Sequence, residues 1–137
     1  MARGGFYSVD SLKNIHVLVV DEDPVAREMM TAVLQYCGAL VMAVPSVRAA
    51  LAMMRLIKPD AIVVELVLRE ADGYELIRQV RALKPEEGGT IPAVAVSRHL
   101  DADDRVRVLG RGFETYLEKP LDPWEFCRVV ARLTMPA

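Results

Sequence analysis

Three apolar runs in this chain end on a side chain that can do chemistry, and that repeated ending limits what the chain can fold into. In AIVVEL, Ala61 to Leu66, the apolar residues Ile62, Val63 and Val64 lead into Glu65. IHVLVV, starting at Ile15, leads into Asp21-Glu22-Asp23, and AVAV, starting at Ala93, leads into Ser97. Short unbroken apolar runs of this kind are strands buried on both faces. A carboxylate in mid-core needs a partner. At the carboxyl end of a strand in an open α/β sheet it lies instead in the crevice where such folds bind ligands.

The intervening segments have helical patterning. Asp23-Pro24 is an N-cap with proline in the first turn, opening a helix that carries Val25, Met29, Met30, Val33 and Leu34 and stops near Gly38. A second strand is expected over 39–44. Ser46 caps a second helix with Val47, Ala50, Leu51, Met54 and Ile57 on one face, ended by Pro59. Asp72-Gly73 turns into a third helix with Leu76, Ile77, Val80 and Leu83. After the polar loop KPEEGGT comes a strand over 92–96, then a helix opened by Leu100-Asp101, carrying Val106 and Leu109 and ended by Gly110 and Gly112. A short fifth strand is expected over 114–117. Asp122-Pro123 starts the last helix, with Trp124, Phe126, Val129, Val130 and Leu133. Five strands alternating with five helices imply a parallel sheet covered on both faces. Residues 1–14 have the composition of a tail or linker, with one short turn at Val9 to Lys13, and 15–134 of a single domain.

Composition excludes several classes. A formal net charge of -2 argues against electrostatic binding of nucleic acid, and 53% hydrophobic residues argue against disorder. There is no run long enough to span a membrane and no signal-peptide pattern at the start, so a soluble cytoplasmic domain is expected. Cys37 and Cys127 lie far apart in sequence and are expected to be two buried thiols in a reducing compartment. His16 and His99 are too isolated for a metal site. The methionines 29, 30, 42, 53 and 54 are expected as core filler. Arg98, Arg105, Arg107 and Arg111 interleave with Asp101, Asp103 and Asp104, the pattern of a solvated helix face.

Asp21, Glu22 and Glu65 are expected to converge at the strand ends. Three carboxylates together repel unless a cation joins them, and oxygen donors alone suit Mg²⁺. With the Ser97 hydroxyl and the Lys119 ammonium, such a set suits the oxygens of a phosphoryl group.

At this point the chain resembles a family. VLVVDEDP, PDAIVVELVLREADGYELI, IPAVAVS and GFETYLEKPLDP, in that order and spacing, are similar to the receiver domain of two-component response regulators. The opening LKNIHVLVVDE and the segment PEEGGTIPAVAVS look most like receivers joined to hybrid sensor histidine kinases.

The resemblance implies a flavodoxin-like (βα)5 three-layer sandwich with strand order 2-1-3-4-5. It implies a phosphorelay signalling module rather than an enzyme, whose only chemistry is phosphoryl transfer from a phosphohistidine donor. It assigns Asp21, Glu22, Glu65 and the backbone carbonyl of Val67 to Mg²⁺, Ser97 to the phosphoryl group, Tyr116 to a rotamer switch, and Lys119 to the family's lysine with a cis bond to Pro120. Expected partners are a histidine kinase or histidine phosphotransfer domain and an output domain met through the 101–134 face, where Tyr116 and Trp124 could anchor contacts. A homodimer is compatible with it.

The chain departs from the family at the acceptor: Glu65 stands where the family has Asp. Arg69 stands where the family usually has Pro, and Arg98 where it has a small residue. Two other readings stay open, a conventional receiver accepting phosphate on Glu65 and a haloacid-dehalogenase-like phosphohydrolase using Asp21-x-Asp23-x-Val25 with Ser97 and Lys119. No acidic pair after a later strand completes the metal site of the latter.

Overall fold

The computed structural model describes residues 10–69 and 71–135. The strands are β1 (His16–Val20), β2 (Leu40–Val44), β3 (Ala61–Glu65), β4 (Ala93–Ser97) and β5 (Thr115–Glu118). The helices are α1 (Pro24–Tyr36), α2 (Val47–Leu56), α3 (Gly73–Arg81), α4 (Ala102–Gly110) and α5 (Pro123–Thr134). All strand pairs are parallel, in the order β2-β1-β3-β4-β5. This is the flavodoxin-like sandwich. Its order reverses between β1 and β3, so the crevice of such a sheet opens beyond Val20 and Glu65.

The apolar runs become strands because alternate side chains feed two cores. Leu18, Val20, Ile62, Val64, Ala93 and Ala95 pack on α2, α3 and α4 through residues such as Ala50, Ile77 and Val108. Val17, Val19, Val63, Val94, Val96 and Leu117 pack on α1 and α5 through Met30, Leu34, Phe126 and Val130. Each fully buried aliphatic side chain contributes roughly 1.5–3 kcal/mol. Every residue of β3 and β4 is buried, as the unbroken apolar pattern requires. The expected caps form: Asp23, Ser46, Asp72, Asp101 and Asp122 each accept a backbone N–H in the first turn.

Two helix faces differ from expectation. On α4, Val106 and Leu109 share a face, but that face is exposed and Val108 enters the core. On α1, Met30 and Leu34 are buried while Val25 and Met29 point outward. Spacing identifies residues that share a face; the position of the sheet decides which face is covered. Before β1, residues 10–14 form a turn, overlapping the one expected at Val9 to Lys13, of which Val9 lies outside the described residues. Leu12 is fully buried, and its N–H donates to the Cys37 carbonyl at 2.7 Å. The chain ahead of β1 therefore contributes a side chain to the α1/α5 core.

Candidate functional site

β1 ends at Val20, which leaves Asp21 at the rim of the sheet but almost wholly buried. Its Oδ1 accepts the Asp23 N–H at 2.9 Å, a turn that starts α1, and its backbone carbonyl accepts from Arg27 at 2.7 Å. β3 ends at Glu65, also buried, with Oε2 accepting the Val67 N–H at 3.0 Å. The remaining oxygens of the two acids face one cation. Lys119 Nζ lies 2.8 Å from Asp21 Oδ2 and 2.7 Å from Glu65 Oε1.

Lys119 is held there by its own backbone. Its N–H donates to the Ser97 carbonyl at 2.8 Å, tying the end of β5 to the end of β4, and its bond to Pro120 is cis. Burial pushes the Lys119 ammonium toward lower pKa, but hydrogen bonds to Asp21 and Glu65, and their charges, outweigh it and leave the pKa raised. Ser97 is the last residue of β4 and is buried at the same end of the sheet.

Glu22 does not join this cluster. Its Oε2 pairs with Arg69 Nε at 3.0 Å. Among the described residues no group of three or more His, Cys, Asp or Glu side chains could hold a metal ion. The donor chemistry nonetheless fits Mg²⁺: Asp21 and Glu65 are oxygen ligands with one positive charge between two negative ones, and each carboxylate oxygen keeps a free lone pair. A divalent ion there would compete with Lys119 for the two acids and with Arg69 for Glu22. Val67 is exposed and lies next to the site through its N–H.

Tyr116 is half-buried on β5 under Arg105, whose guanidinium carbon lies 5.6 Å from the ring centroid. The same arginine approaches Glu118 at 3.4 Å. Sequence reasoning assigned Arg105 to a solvated face; the alternating charges on α4 give no sign that one of them reaches across to β5. Arg98 and His99 are exposed. Asp23, the second acid of the hydrolase-like motif, caps α1 by accepting from the Val25 N–H at 3.0 Å. A groove of about 740 Å³ between α3 and α4, lined by Tyr74, Arg78, Arg107 and Arg111 among others, lies away from the strand ends. Of its four arginines, Arg78 pairs with Glu75, Arg81 with Glu114 and Arg107 with Asp104, so it is a poor anion site.

The family model of the response regulator receiver domain matches residues 17–131. The chain is 37% identical over 122 residues to an uncharacterized 14.6 kDa protein of the sodA1 3′ region in Leptolyngbya boryana, covering 89% of this chain and 92% of that one. It is 35% identical to the DNA-binding response regulator MtrA of Mycolicibacterium smegmatis, covering 85% of this chain and 50% of MtrA, so it spans about half of that regulator. The solved receiver domain of a sensor histidine kinase from Pseudomonas aeruginosa PAO1 superposes with a TM-score of 0.79 at 29% identity, covering 88% of this chain and 97% of that one. That structure carries a magnesium ion coordinated in its active site cleft. The β2-β1-β3-β4-β5 sheet, the acid–lysine–acid cluster at its carboxyl end and these matches lead to one conclusion: the chain belongs to the response regulator receiver domain family of two-component signalling.

Proposed function

We propose that this receiver domain works as a binding switch on a partner, with Glu65 in the acceptor position, and that it takes up little or no phosphate. The observation that carries the reading is the 2.7 Å contact between Glu65 Oε1 and Lys119 Nζ. Glutamate is one methylene longer than aspartate, and here its carboxylate already reaches the lysine from the end of β3. In-line phosphoryl transfer tolerates little displacement: an error of about 1 Å costs on the order of a hundredfold in rate. Ser97 ends β4 and Lys119 directly follows β5, and their backbones are tied together, so they do not retreat to suit the longer side chain. The Glu65–Lys119 pair partly imitates the contact a phosphoryl group would make, with less charge and fewer acceptor oxygens. The resulting bias toward the active arrangement is modest.

Mg²⁺ would be held by Asp21, Glu22, Glu65 and the Val67 carbonyl, and when bound it supplies positive charge beside the acceptor. Competition from Lys119 and Arg69 makes that binding weak. The donor or controlling partner is a histidine kinase or histidine phosphotransfer domain, and the output partner meets the 101–134 face, where Val106 and Leu109 are exposed.

The test is labelling by acetyl phosphate with Mg²⁺. The natural chain stays unlabelled and Glu65→Asp becomes labelled in a Mg²⁺-dependent way. Equal labelling of both chains overturns the reading in favour of a conventional receiver using Glu65. If neither is labelled, adding Arg98→Ala or Arg69→Ala to the Asp variant tests whether an arginine blocks the site.

A further inference from the structure

Cys37 and Cys127 are separated by 90 residues, yet their sulfur atoms stand 2.8 Å apart. Cys37 is the C-cap of α1, Cys127 lies in the first half of α5, and both helices pack on the same face of the sheet. Neither thiol takes part in the acidic cluster at the strand ends. Both are about 1% exposed. Both nevertheless line a mostly apolar groove of about 430 Å³, together with Val33, Tyr36, Pro123 and Trp124. A small oxidant entering that groove meets two sulfurs at once.

We propose that Cys37 and Cys127 form a dithiol modification site that a peroxide converts to an intrachain disulfide. The co-reactant is a hydroperoxide. One sulfur attacks the peroxide: an S–O bond forms, the O–O bond breaks, and with hydrogen peroxide the leaving hydroxide takes up the thiol proton as water. The second sulfur then displaces the sulfenic oxygen: the S–S bond forms, the S–O bond breaks, and a second water leaves with the second thiol proton. Two thiols are oxidised by two electrons and one peroxide is reduced to two waters. A disulfide needs sulfurs about 2.05 Å apart. From 2.8 Å the pair has to close by less than about 1 Å.

Burial, with the hydrogen bond and charge of Cys37, pushes the Cys127 thiol well above its usual pKa. Cys127 thiolate is therefore scarce at neutral pH, and attack by that sulfur accelerates as pH rises. The product ties the C-terminal end of α1 to α5.

The purified natural chain is exposed to hydrogen peroxide and its thiols are then counted after denaturation in an alkylating agent. The count is expected to fall from two to zero. The intact mass falls by two hydrogens, no dimer forms, and a reductant restores both thiols. Trp124 is the sole tryptophan and lines the same groove, so its emission changes reversibly with oxidation. Cys37→Ala and Cys127→Ala each abolish the crosslink; the measurement on the natural chain stands whether or not they fold. The proposal is overturned if both thiols survive a treatment that consumes free glutathione at the same pH. It is equally overturned if the products are separate sulfinic acids or disulfides between chains.

Discussion

At the scale of single residues, Lys119 is the side chain on which the site depends. One ammonium serves two buried carboxylates, so removing it leaves both acids without a cation among the described residues. Breaking a buried ion pair from one side costs about 3–5 kcal/mol. Lys119 keeps some exposure, 13% of its side chain, so the lower end applies. Lys119→Met is expected to lose about 3 kcal/mol at neutral pH in urea unfolding. Because the folded pKa of Lys119 is raised, its contribution is complete below the unfolded lysine value of about 10.4 and is lost as pH rises through the folded value. The gap between natural chain and variant should therefore hold from neutral pH to about pH 10 and narrow above it. Mg²⁺ should raise the melting temperature of the variant more than that of the natural chain. Equal shifts would separate the lysine from the metal site.

At the scale of elements, α3 starts hard against the end of β3, and Gly73 makes that possible. A Cβ on Gly73 would lie 2.8 Å from the Glu65 carbonyl oxygen and 3.0 Å from Val64 Cγ1, the first being backbone that cannot step aside. Gly73→Ala is expected to lose about 1–2 kcal/mol despite the better helix propensity of alanine, since overpacking of this kind costs about 1–3 kcal/mol. Gly110, at the end of α4, has nothing within 4 Å of its added Cβ. Gly110→Ala should leave the melting temperature level or slightly higher, which makes it the control. Most of this element layer was legible in the chain. The apolar runs marked the strands to within a residue or so, and an acidic or hydroxyl cap stood before each helix. Local pattern carries that information because strand burial and capping are local physics. What could not be read were pairings between distant segments. Glu22 with Arg69, Arg105 with Tyr116, Cys37 with Cys127 and Leu12 in the core all depend on where helices land. The same limit hid the outward faces of α1 and α4, because periodicity alone is symmetric between inward and outward.

At the scale of the whole molecule, the helices are unequal in how firmly the two cores hold them. α3 buries Gly73, Leu76, Ile77 and Val80, and α5 buries Phe126, Cys127 and Val130, whereas α4 buries Val108 alone. An element with few buried contacts opens at low free energy, so α4 should exchange its amides fastest of these three helices. It is also tied to β5 through Arg105, which reaches Tyr116 and Glu118. Glu118 is followed directly by Lys119, whose ammonium is held by Glu65 and Asp21. A change of charge at Glu65 therefore has a short physical route to α4: lysine, end of β5, Arg105, helix. Glu65→Gln leaves Lys119 with one anionic partner in place of two. Amide exchange is then expected to rise several-fold in β5 and α4 while α3, anchored by its own four buried residues, stays unchanged. Contiguity alone is not coupling. The double variant Glu65→Gln with Arg105→Ala supplies the missing evidence, since it should show no further loss in α4 beyond Arg105→Ala alone. If the two effects add in full, or if α4 ignores Glu65→Gln, the acidic cluster and the 101–134 face are independent. The binding-switch reading then loses its physical connection.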